Sequence, residues 1–255
     1  SSIINGIIHI AAALGIISAL LLTKEVVVLV FAYFALWTLG RFLAWHYVKK
    51  HLGSPQGGED PRTVPFGIHL SIMGAANTVA QYADRVLLFQ YIGAAEVAIY
   101  SIAIAIPEQF KTGIKNIFAL LLPRYSTQSE KSIRADIWKK AGLLTALTLL
   151  ITAVYIIAVP FVFPIFFPAY QEAILYSQIF ALSFVAVVAG IFTTALQALH
   201  KTRSLYIYNI ASPILQIITI VVGIFFMGII GAILARVVTR LVMLAVSVVL
   251  YVKDT

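Results

Sequence analysis

Residues 205–252 read LYIYNIASPILQIITIVVGIFFMGIIGAILARVVTRLVMLAVSVVLYV. Two long apolar runs flank Gly228, and neither alternates apolar with polar residues as a half-buried strand would. A bilayer core takes about 20 apolar residues per helix. Lipid offers no partner to a backbone N–H or C=O, so such a run spans as a helix, which closes its own hydrogen bonds. The stretch predicts two membrane-spanning helices joined by a turn at Gly228.

The same texture runs through the rest of the chain. Of its 255 residues, 61% are hydrophobic and 11% charged, where soluble domains carry about 25% charged residues. Mean hydropathy is +0.98. Eight spans can be read, at 3–22, 26–48, 66–90, 97–120, 138–159, 170–198, 205–227 and 229–252. The fold class expected is therefore all-α, a polytopic helical membrane protein with eight transmembrane helices.

Several function classes drop out. There is no cysteine, so disulfides and thiolate metal sites are excluded. His9, His46, His51, His69 and His200 are scattered and give no metal-ligand cluster. No GxxxxGK[ST] loop cradles a phosphate, so any transport energy is not ATP bound by this chain. No nucleophile elbow or Asp-rich loop supports catalysis. No catalytic residue, metal or cofactor is assigned, and an enzyme is not expected. The net charge of +8 resides in short connectors without interleaved aromatics, so nucleic acid is not the expected partner.

Lys and Arg are distributed unevenly between those connectors. Lys49, Lys50 and Arg62 follow the second span; Arg124, Lys131, Arg134, Lys139 and Lys140 follow the fourth; Lys201 and Arg203 follow the sixth, and Lys253 ends the last. The intervening connectors hold Lys24 alone. The positive-inside rule then puts both ends in the cytoplasm and the chain in the cytoplasmic membrane. Tyr91, Tyr100, Trp138, Tyr170 and Tyr251 fall near span ends and suit interfacial belts.

Residues 53–65, GSPQGGEDPRTVP, are too polar and too rich in Gly and Pro for lipid. They divide a two-helix hairpin, 1–52, from a six-helix bundle, 66–255, with 53–65 as a cytoplasmic linker. Pro160, Pro164 and Pro168 punctuate the outer end of the fifth span, which is expected to stop near 159. The chain opens Ser1-Ser2, with no Met and no signal peptide, so it is expected to be a piece of a longer protein.

Charges inside the spans mark where function is expected, because a charge at mid-bilayer costs about 2.5–3.5 kcal/mol on insertion scales. In the third span Asn77, Gln81, Asp84 and Arg85 share much of one helix face, as an interhelical clamp or as a cavity lining. Asp84 and Arg85 are expected to pair near the outer end. In the fourth span Glu108, Lys111 and Lys115 lie on one face, with Pro107 expected to kink the helix beside them. Glu108 and Lys111 can pair. Lys115 and Arg41 are close enough to the cytoplasm to snorkel. In the eighth span Arg236 and Arg240 sit four residues apart, roughly 10 and 16 Å below the outer boundary at about 1.5 Å per residue. Two guanidinium groups on one face suit a diphosphate, which Arg binds bidentately. The competing reading pairs them with Asp84 or Glu108 of other helices.

The stretch ADRVLLFQYIGAAEVAIYSIAIAIPEQFKTGIKNIFALLLPRYS, 83–126, resembles the polysaccharide transporter family of the multidrug/oligosaccharidyl-lipid/polysaccharide (MOP) superfamily, the O-antigen-type flippases. Asp84-Arg85, Gly93 with Val97 and Tyr100, and Leu122-Pro123 carry the likeness. FFPAYQEA at 166–173 is a second match. A third is Leu199–Arg203, similar to the family's "alQAlgkt" region, with His200 where glycine is usual. The resemblance implies that 66–255 is one half-bundle of a MOP-type transporter, 3–48 the end of the other, with about four spans preceding them. It implies translocation of a lipid-diphosphate-linked oligosaccharide across the cytoplasmic membrane for polysaccharide biosynthesis, by alternating access. The implied partners are that lipid-linked oligosaccharide, membrane lipids and other polysaccharide-assembly proteins. Cavity candidates are Arg85, Lys111, Arg236 and Arg240, with Asp84 and Glu108 as pair partners or ion-coupling sites. Only Asp84 and Arg85 sit on a family motif; the others rest on embedded charge. The alternatives are a cation-coupled multidrug exporter of the same superfamily and, from another class, a membrane-embedded glycosyltransferase.

Overall fold

The computed structural model describes residues 2–23, 25–52, 63–126 and 130–254. Apart from short turns the described residues are helical, with no strand among them. The chain divides into two compact units, Ser1–Phe66 and Gly67–Thr255. Most of the expected linker, 53–62, lies outside the described residues; its last residues, 63–65, are instead the first turn of a helix. The side chains of Asn77 and Lys115 also lie outside them.

The first unit contains helices α1 (Ser2–Leu22) and α2 (Val26–Leu52), which pack against each other. Two glycines set the contact. A Cβ on Gly15 would strike the side chain of Leu36, and one on Gly40 would strike that of Ile8. Small residues that let helices approach closely are the usual device where lipid removes the hydrophobic drive for helix association. Thr23 Oγ1 accepts the Glu25 N–H at 3.1 Å, closing the turn between the helices.

The second unit is built from α3 (Thr63–Tyr91) from Gly67 onward, α4 (Ala94–Ser126), α5 (Glu130–Phe166), α6 (Ala173–Ala181), α7 (Ala189–Ala198) and α8 (Thr202–Asp254). The α3–α4 turn is tight: the Ile92 and Gly93 N–H groups both return to the Leu88 carbonyl. Gly93 sits at φ 134°, which a side chain would oppose. α5 does not stop near 159 as expected. It runs through Pro160 and Pro164 to Phe166, and the turn follows at Pro168–Tyr170. Each proline removes one hydrogen bond, and an apolar environment favours helix on either side of the gap.

α8 is a hairpin. Gly228 has φ 59° and ψ −130°, outside the helical region. Thr219 Oγ1 and Thr239 Oγ1 meet at 2.7 Å, whereas one straight helix would hold them about 30 Å apart. Beside the turn Gly223 and Gly231 touch backbone to backbone, and a Cβ on either would overlap the other's carbonyl. At the opposite end Ser204 Oγ donates to Asp254 Oδ2 at 2.5 Å, tying the two limbs together.

Among the described residues four helical segments are long and apolar enough to cross a membrane: Val26–Tyr47, Ser132–Phe166, Ala173–Ala198 and Thr202–Asp254, the last being the hairpin. Their outer faces are apolar too, with Phe31, Leu143, Phe161, Phe225 and Phe226 all more than 70% exposed. So much exposed apolar surface suits lipid rather than water. α3 and α4 are as long, but carry polar and charged residues along their length.

The span Ala173–Ala198 changes pitch at its middle. Leu182–Val188 is a 3₁₀ segment between α6 and α7. α4 is helix from Ala94 to Ser126, with Pro107 inside it. Tyr155 Oη meets Ser177 Oγ at 2.7 Å, and Gln178 Nε2 donates to the Ile156 carbonyl at 2.8 Å, fixing α6 to α5. Apolar clusters lie to either side of the unit's charged middle. Leu88, Ile104, Phe180 and Ile233 pack in one; Ile137, Phe192 and Leu196 pack in another. Tyr100 and Tyr251 belong to these interiors and are buried, not in an interfacial belt.

Candidate functional site

Five embedded charges converge inside the second unit. α3 brings Asp84, α4 brings Glu108 and Lys111, and the second limb of α8 brings Arg236 and Arg240. A lone charge in such an interior is costly; Asp84, Glu108, Arg236 and Arg240 each meet a partner of opposite sign from another helix, and Lys111 meets Glu108 of its own helix.

Arg236 is the hub. Its Nε lies 2.7 Å from Asp84 Oδ2. Its two terminal nitrogens donate to Glu108 Oε1 at 3.0 Å and to the Gln81 carbonyl at 2.6 Å. Asp84 is fully enclosed: Oδ2 also accepts the Tyr100 hydroxyl, and Oδ1 accepts the Arg85 backbone N–H at 2.8 Å. This half of the network is a sealed clamp across α3, α4 and α8.

Arg240 occupies the wetter half. Its guanidinium lies 4.7 Å over the Phe180 ring, donates to Ser183 Oγ of the 3₁₀ segment at 2.9 Å and pairs with Glu108 Oε1. Lys111 Nζ stands 3.9 Å from the other Glu108 oxygen. Glu108, Lys111, Arg236 and Arg240 border a cavity of about 250 Å³, with Tyr208 and Gln216 across it on the first limb of α8. Three cations face two carboxylates, so the cluster carries one formal positive charge in excess.

Of the six residues singled out by sequence, five are brought together and Arg85 is not. The expected Asp84–Arg85 ion pair does not form; the two side chains leave a helix about 100° apart and cannot face each other. Asp84 turns inward to Arg236, and the Arg85 guanidinium lies 5.1 Å over the Tyr82 ring. Arg85 does not line the cavity described above. Arg236 and Arg240 are not uncompensated either: both reach Glu108. Tyr100 and Ser183 belong to the network but carry no charge, so the embedded-charge signal did not reach them.

The fold and site define an all-helical protein with long apolar helices and a polar cavity bordered on one side by a charge network. No family model, curated protein or solved structure matches the chain.

Proposed function

We propose that the chain spans the cytoplasmic membrane eight times with both ends inside, and that residues 66–255 form one half-bundle of a MOP-type flippase. Its cargo is a lipid-diphosphate-linked oligosaccharide destined for a surface polysaccharide. The sugar-diphosphate head enters the cavity beside Arg240 and Lys111, while the lipid tail stays in the bilayer. The two halves of the transporter alternate around it.

The observation that carries this reading is the positive excess on a cavity set within an apolar bundle. A diphosphate has more charge and more acceptor oxygens than a carboxylate, and a guanidinium can meet two of them at once. A cation-coupled drug exporter needs carboxylates left to meet a cation, but here Asp84 is buried and Glu108, though on the cavity wall, is paired with two arginines. A glycosyltransferase needs acids near the membrane surface, whereas these lie inside the bundle.

The test is export in cells that depend on the full-length protein. Arg240→Ala should abolish surface polysaccharide at unchanged protein abundance. Unchanged polysaccharide would overturn the reading.

A further inference from the structure

The two carboxylates of the network are not equivalent. Asp84 is wholly enclosed, and both its oxygens are engaged: Oδ2 by the ion pair with Arg236 and the Tyr100 hydroxyl, Oδ1 by the Arg85 backbone N–H. Glu108 sits on the cavity wall, with its side chain 23% exposed. One of its oxygens bridges Arg236 and Arg240, and the other faces Lys111 at 3.9 Å. Three cations from two helices thus converge on one singly charged group at the edge of an open volume of about 250 Å³. Glu108 hangs on three rotatable bonds and can swing aside without moving α4. Asp84 is shorter, fully buried and away from the cavity wall, so it has no open volume to swing into.

We propose that the Glu108 carboxylate is a built-in stand-in for a phosphate-type anion, and that an anion entering the cavity displaces it from Arg240. The proposal rests on the cationic cavity described above and adds the state of that cavity before its ligand arrives. The ligand class is a phosphate or diphosphate, free or carried on a lipid. Holding Glu108 in place satisfies both arginines in the empty state, which an apolar bundle requires. It also makes Glu108 a competitor: apparent affinity is reduced to the fraction of time the site is open. The released carboxylate remains one helical turn from Lys111, so neither is left far from opposite charge.

The experiment is equilibrium binding of radiolabelled pyrophosphate to the full chain in nanodiscs of zwitterionic lipid. Wild type is compared with Glu108→Gln and Glu108→Asp, each first shown to be monodisperse. Glu108→Asp keeps the charge but is too short to bridge both arginines, so it separates displacement from simple change of charge. Displacement requires both variants to bind more tightly than wild type, by roughly tenfold if the bridge is closed about nine-tenths of the time. Tighter binding by Glu108→Gln with Glu108→Asp equal to wild type would reduce the effect to net charge and overturn the proposal. Weaker binding by either variant would make Glu108 part of the anion site and also overturn it. Pyrophosphate binding by none of the three proteins would remove the cationic-cavity reading itself. Competition with a prenyl diphosphate in the same discs then separates the sources: a stronger effect than pyrophosphate assigns the site to a lipid-borne head, and an equal one to the free anion. Displacement stands in both cases.

Discussion

Arg236 Nε lies 2.7 Å from Asp84 Oδ2, and this contact joins α8 to α3, with Arg236 bordering the cavity and Asp84 behind it. Breaking one partner of such a pair strands a charge in an apolar interior, at a cost of about 3–5 kcal/mol. Asp84→Ala should lower abundance and thermal stability sharply. The double variant Asp84→Asn/Arg236→Gln, which removes both charges, should recover part of that loss. Melting in detergent checks both; a single variant as stable as wild type would show that the clamp contributes little.

The hairpin at Gly228 is directly testable because the chain has no native cysteine. Thr219→Cys/Thr239→Cys places two thiols where the hydroxyls now touch at 2.7 Å. Oxidation should form an intramolecular disulfide, seen as a mass loss of two hydrogens. Two thiols that stay free would contradict the fold-back of α8.

His200 closes the end of α7 in the left-handed conformation, at φ 54°. Its N–H returns to Gln197 O at 3.1 Å and the Lys201 N–H to Leu196 O at 2.9 Å. This is the Schellman pattern, for which glycine is preferred. His200→Gly should raise stability by about 1 kcal/mol, the cost of a side chain in that region. A melting temperature that falls would mean the imidazole holds a contact that offsets the strain.

The orientation inferred from Lys and Arg has its own check. A cysteine introduced near Lys131 should escape an impermeant thiol reagent applied to intact cells and react once they are opened. Labelling from outside would invert the topology.

How much of this was legible beforehand follows from what a sequence can encode locally. Apolar runs and the Gly228 break are local, and they gave the helices and the hairpin turn. Embedded charges are also local, which is why Asp84, Glu108, Lys111, Arg236 and Arg240 could be picked out. Their pairing is not. Arg236 meets Glu108 across 128 residues of chain, and the rotation of a helix that is apolar nearly all round cannot be read from its periodicity. Proximity in sequence then misleads: Asp84 and Arg85 are neighbours in the chain and point apart in space. The 3₁₀ segment at 182–188 was hidden for the same reason, since LSFVAVV reads as ordinary apolar span. Pro160 and Pro164 read as an end because proline usually stops a helix in water, and α5 continues past both.

The most direct measurement of the transport reading is flipping of a lipid-linked oligosaccharide in proteoliposomes made with the full-length protein. Arg240 borders the cavity, and its loss leaves the Asp84–Arg236 clamp in place. The expected result is flipping by wild type, loss of at least tenfold in Arg240→Ala, and partial recovery in Arg240→Lys, which restores the charge but not the bidentate fork. Flipping by Arg240→Ala at the wild-type rate, with equal incorporation, would contradict the cationic cavity as the path of the cargo.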